Sequence, residues 1–185
     1  MQIGIAIIII VLAVTVVASF IGVFFEDNSI RHFSGYFYKY GFPVYKKVIP
    51  VGNFNILPDE KHVITKEEGV FHFTDDGVIY FRSDESKFRS NIFKFRTTLS
   101  FKATAVLKGI NSIEITARLR LFSSILFISV ILICIVLGLL FEVKALFIGL
   151  IVLAVFLISY SVEKNRMEKM VGELKDILGA FSKEI

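Results

Sequence analysis

The stretch SIEITARLR (112–120) runs without a break into LFSSILFISVILICIVLGLLF (121–141). In its first part Ile113, Ile115, Ala117 and Leu119 alternate with Ser112, Glu114, Thr116, Arg118 and Arg120. That is the period of two expected of a strand with one buried face. The second part holds no ionisable side chain apart from a cysteine thiol, over a length that crosses a ~30 Å hydrocarbon core as a helix. The chain therefore passes across one boundary from a half-wet sheet to a wholly apolar environment. A β domain joined to membrane helices accounts for both halves.

Two further windows repeat the second pattern. Ile3 to Phe25 carries no ionisable side chain, and Ala145 to Val162 is as apolar. Isoleucine and valine crowd the first window, yet in lipid a lone segment must satisfy its own backbone and becomes a helix. A cleavable signal peptide is the rival reading, with Val16 and Ala18 imitating a cleavage site. No basic region precedes the apolar run, and the run continues to Phe25, so an anchor fits better. The second span is expected at 119–141 and the third at 145–162. The short Glu142-Val143-Lys144 link makes the pair a helical hairpin.

Composition agrees with this segregation. Apolar residues make up 55% of the 185, yet 21% are charged, and the mean hydropathy is +0.70. Both are possible in one chain only because the two classes are sorted along it. Basic residues flank the spans on one side: Arg31, Lys39, Lys102, Lys108, Arg118, Arg120, Lys164, Arg166, Lys169 and Lys175. Lys144 stands alone on the other. The bias predicts an N-terminus outside, with the central segment and the tail in the cytoplasm, in a plasma (inner) membrane. The single Cys134 permits no intramolecular disulfide.

Between the spans, residues 26–118 read as a small antiparallel β domain. Leu99, Phe101, Ala103, Ala105 and Leu107 share one face of a strand that pairs with 113–119 across Gly109-Ile110-Asn111. An earlier hairpin joins 70–73 to 78–82 through Thr74-Asp75-Asp76-Gly77, a sequence rich in turn formers. His62 to Lys66 and Ile92 to Arg96 are further strand candidates. About six short strands suggest a barrel- or sandwich-like closure. Ser34 to Asn55 holds Tyr36, Phe37, Tyr38, Tyr40, Phe42 and Tyr45 among glycines and prolines. This reads as irregular chain at headgroup depth, or as rings completing the domain core; both stay open.

The tail, 163–185, has a helical period. Met167, Met170, Val171, Leu174, Ile177, Leu178 and Phe181 fall on one face. Acidic and basic residues balance, so the face suits protein better than anionic lipid. Its partner is a second copy of the chain, another protein, or the underside of the β domain. The fold class is thus integral membrane α + β: three spans, an inserted antiparallel β domain and a C-terminal amphipathic helix.

No catalytic constellation emerges. The doublets Asp59-Glu60, Glu67-Glu68, Asp75-Asp76 and Asp84-Glu85 lie in expected turns or strand ends and lack histidine at ligand spacing. His32, His62 and His72 are scattered, and His72 reads as a surface strand residue. No metal, cofactor or nucleic-acid partner is expected. Arg82, Lys87, Arg89, Lys94 and Arg96 are interleaved with phenylalanines and form a candidate lipid- or anion-binding cluster. The plainer alternative is a solvated strand face partly neutralised by Asp84 and Glu85. Ala18 with Gly22, and Ala145 with Gly149, have the spacing that lets helices approach closely. The layout alone resembles that of membrane proteins with pleckstrin-homology-like domains, without a motif that carries the likeness. A non-enzymatic binding or assembly module is the expected function. An accessory subunit of a larger membrane complex is the first alternative. An enzyme acting on lipid is the second, with only Glu26 and Asp27 as a polar cluster beside the first span.

Overall fold

In the computed structural model the apolar window at the N-terminus is one helix, α1 (Gln2–Arg31), which runs six residues past Phe25. The structure describes residues 2–51, 63–83, 100–108, 111–140 and 144–181. After α1 come α2 (Gly35–Lys39), β1 (Phe42–Pro50), β2 (Val63–Thr65), β3 (Gly69–Phe73), β4 (Val78–Ser83), β5 (Phe101–Leu107) and β6 (Ser112–Leu119). Helices α3 (Leu121–Leu140) and α4 (Lys144–Phe181) follow. Three of the described helices, α1, α3 and α4, are long and apolar enough to cross a membrane.

The end of α1 is a Schellman turn. Ser34 N–H donates to Ser29 O at 3.0 Å and Phe33 N–H to Ile30 O at 3.1 Å. The left-handed position, usually glycine, is held by Phe33 at φ 53°. Its ring offsets that cost by packing, 4.9 Å from His72 and 6.0 Å from Tyr38 by centroid. The Arg82 guanidinium lies 5.3 Å over the same ring.

The described strands make one antiparallel sheet in the order β1-β6-β5-β4-β3-β2. The expected hairpins are β3–β4, turned at Gly77 with φ 72°, and β5–β6. The candidate at 62–66 is β2; the one at 92–96 lies outside the described residues. Phe71, Phe73, Ile79, Phe81, Phe101, Ile113 and Ile115 share the inner face. A barrel- or sandwich-like closure was expected over that face. The second half of α4 covers it instead, through Met167, Met170, Val171, Leu174, Ile177 and Leu178. Small side chains in mid-sheet, where Ala103 pairs with Ala117, add little bulk to that face. At Gly69 an added Cβ would come within 2.8 Å of Met170 Sδ.

Of the segment expected to be irregular, 34–55, residues 52–55 lie outside the described residues, and the described part forms α2 and the edge strand β1. Its period was masked by a register shift between Pro43 and Tyr45 and by the adjacent Lys46 and Lys47. Proline at both ends suits an edge strand, because one side of its backbone needs no partner there. The segment's rings divide: Tyr38 is fully buried with Ile30 and Tyr80 on the outer face of the sheet, whereas Tyr36, Tyr40 and Phe42 are exposed.

The third span and the tail, expected as separate segments, form one unbroken helix of 38 residues. Helix α3 packs between α1 and α4. Gly22 faces the Phe122 ring, Gly149 faces Cys134 Cβ, and Phe127 meets Phe156 at 5.3 Å. Replacing the fully buried Leu174 with alanine is expected to cost about 2–5 kcal/mol through lost burial and the cavity left behind. The readout is a lower unfolding midpoint of the purified chain in mild detergent; an unchanged midpoint contradicts the docking of α4.

Candidate functional site

Charged residues gather where the helices meet the sheet. Glu26 stands one residue beyond the uncharged window of α1, on the same helical stripe as Ser19, Gly22 and Ile30, all buried. Its carboxylate Oε1 accepts from Lys102 Nζ at 2.5 Å and from Leu121 N–H at 3.0 Å; Oε2 accepts from Phe122 N–H at 3.0 Å. Both side chains of the Glu26–Lys102 pair are 1% exposed. The first turn of α3 needs acceptors for its free N–H groups, and a negative charge there is favoured. The residue before α3 is Arg120, which has no acceptor in its side chain. The cap therefore comes from another helix.

Arg120 serves a second contact. Its Nη1 donates to Asp27 Oδ1 at 2.6 Å, and Asp27 also pairs with Arg31, one turn on, at 2.7 Å. On α4, Glu163 is fully buried, pairs with Arg166, and accepts from Phe101 N–H at 3.4 Å. Three carboxylates thus face Lys102, Arg120 and Arg166. Burial holds the Lys102 ammonium below the usual lysine range. Glu26 pulls it back up, while Arg120 and Arg118 push the same way as burial. Farther along α4, Glu68 pairs with Lys169 at 3.1 Å and its N–H donates to Glu173 Oε1 at 2.9 Å.

This arrangement can fix geometry. The Glu26 carboxylate already takes three donors, so its lone pairs are engaged in holding α1, β5 and α3 together. Among the described residues no group of three His, Cys, Asp or Glu side chains stands close enough to hold a metal ion.

The residues singled out in the sequence are distributed as follows. Arg82 lies on the outer face of β4, donating to Ser83 O at 3.2 Å; Lys87, Arg89, Lys94 and Arg96 lie outside the described residues. Gly22 is at the α1–α3 contact, but Ala18 is exposed and Ser19 takes its expected place. The reason is angular: at about 100° per residue Ser19 lies about 20° from Glu26 around the helix, and Ala18 about 80°. Gly149 is at the α3–α4 contact; the side chain of Ala145 is outside the described set. The face Met167, Met170, Val171, Leu174, Ile177 and Leu178 is filled by the chain's own sheet, which leaves it closed to an external helix. Phe181 ends α4, its side chain undescribed. Glu68, expected as a solvated turn charge, ties the β2–β3 turn to α4. His72 is partly buried against Phe33 instead of lying free on the surface.

No protein-family model, no curated protein and no solved structure matches this chain. The likeness of layout to pleckstrin-homology-like membrane proteins accordingly assigns no family.

Sequence reasoning found Glu26 and Asp27 but not their partners. Lys102 sits on the polar side of the β5 alternation, where water is the natural expectation; the end of α1 displaces that water. Glu26→Gln removes the charge facing a buried ammonium and is expected to destabilise by about 3–5 kcal/mol. Adding Lys102→Met should restore much of the loss. Unfolding midpoints in mild detergent read both, and a single-variant loss below about 1 kcal/mol, the scale of an exposed pair, contradicts the role given to Glu26.

Proposed function

We propose that this chain is an integral protein of the plasma (inner) membrane, with its N-terminus outside and its β domain and C-terminus in the cytoplasm. It acts as a non-enzymatic binding and assembly module that presents the β domain to anionic lipid headgroups. The observation that carries the reading is α4. Its first half exposes Phe147, Ile148, Leu150, Ile151, Leu157 and Ile158, while its second half is the core of the domain. A helix that needs lipid at one end and the sheet at the other keeps the domain at the bilayer surface.

Charge supports the choice of partner. Ser83 closes β4 opposite the start of β5, and Ser100 directly precedes β5. Phe101 pairs with Leu119, two residues before α3 begins. Both serines therefore belong to the rim nearest the helices, and the sequence between them contains Lys87, Arg89, Lys94 and Arg96. Cations tethered beside an anionic leaflet gain about 1 kcal/mol each. The occupied face of α4 weakens the scaffold-subunit alternative, because that face was its clearest docking surface.

The isolated segment 26–118 lacks the half of α4 that completes its core, so the test uses the full chain. Reconstituted into nanodiscs of mixed phosphatidylcholine and phosphatidylglycerol and released into mild detergent, it should retain the anionic lipid preferentially. Replacing Lys87, Arg89, Lys94 and Arg96 with glutamine should abolish the preference. Equal retention of both lipids by the unaltered chain overturns the lipid reading, and a stoichiometric second protein in the purified sample favours the subunit instead.

A further inference from the structure

We propose that Tyr36, Tyr40 and Phe42 form a lipid contact of their own, seated in the headgroup layer beside the bundle and setting the depth of the sheet. The proposal rests on the reading that α1, α3 and α4 cross a bilayer, and it concerns neutral interfacial lipid instead of anionic charge.

Depth is fixed by register. Phe42 pairs with Leu119, and α3 begins two residues later at Leu121. Phe42 is therefore level with the point where the chain enters its apolar span. Gly41 makes this approach possible: it has φ +126°, and a side chain there would collide with the Leu119 carbonyl. Helix α2 starts at Gly35, under the Tyr80 hydroxyl, and runs back to this rim. Tyr36 and Tyr40, one turn apart on that path, lie with their ring centroids 4.4 Å apart and their planes tilted by 41°.

Exposure within the segment is selective. Tyr38 is 0% exposed in the outer-face core, whereas Tyr36 is 64%, Tyr40 50% and Phe42 46% exposed. Three large rings left open at one end of the sheet, at the start of a span, two of them tyrosines, match the depth at which tyrosine sits between hydrocarbon and water. The chain has no tryptophan to serve there. Arg118 adds a cation beside Gly41. Among the described residues it has no carboxylate partner and donates to Thr104 Oγ1 at 3.4 Å, which leaves its charge available to lipid phosphate.

The absence of tryptophan also supplies the test. Tyr40→Trp gives the full-length chain a single indole, which can be read in liposomes whose lipids carry bromine at shallow or deep acyl positions. Two other single-indole variants calibrate the scale. Leu132→Trp lies about 16 Å along α3 from Leu121, and Val48→Trp lies about 20 Å along β1 from Phe42. Tyr40→Trp should emit at shorter wavelength than Val48→Trp and be quenched several-fold more by shallow bromine than by deep. Leu132→Trp should show the reverse preference. If Tyr40→Trp matches Val48→Trp while Leu132→Trp is quenched, the contact is disproved and the spans stand. If Leu132→Trp is unquenched as well, the membrane reading fails and takes the contact with it.

Discussion

A single carboxylate, Glu26, closes the joint between helices and sheet. It is buried at the end of α1, takes the ammonium of Lys102 from β5, and caps the first turn of α3. Each group alone would be costly to bury: a lysine without its counterion, a carboxylate without donors, a helix start without acceptors. Together they offset one another, and only in one relative placement of the three elements. The interaction therefore contributes specificity of arrangement more than net stability. Asp27 with Arg120, and Glu163 with Arg166 and the start of β5, extend the same logic around the joint.

Helix α4 supplies the second coupling. Its 38 residues correspond to about 57 Å of helix, well beyond a ~30 Å hydrocarbon core. Its first half is apolar and largely exposed, and its second half lies on the sheet against β3, β4 and β5, with Met170 admitted by Gly69. The opposite face is closed by the end of α1 and by α2, fastened by Phe33 in its left-handed turn. The sheet is thus held between two helical layers, each of which begins in the apolar bundle. Such a domain has little freedom to swing relative to the apolar helices.

Much of this was legible in the sequence where one solvent contrast dominates. The three apolar windows stand out because almost no charge interrupts them over a length that could cross a membrane, and the β3–β4 and β5–β6 hairpins because one face of each strand is dry. The edge strand β1 was not legible: a bulge, two lysines in succession and two prolines hide its alternation. The tail's apolar face was readable, but its occupant was a matter of tertiary contact, and the sheet won over a second helix. Ala18 satisfied a spacing rule that ignores which way Glu26 must point, so Ser19 took its place. Lys102 was the hardest case, since its strand pattern assigns it to water and only the overhanging end of α1 removes that water.

The central claim is that the Glu26 joint locks the sheet to the apolar helices. Distances between spin labels at exposed positions Val14 on α1 and Val48 on β1 test it, after Cys134 is replaced by alanine and the chain is placed in nanodiscs. The account predicts one narrow distance distribution that broadens markedly when Glu26→Gln is added. A broad distribution with Glu26 in place, or a narrow one that the substitution leaves unchanged, would contradict it.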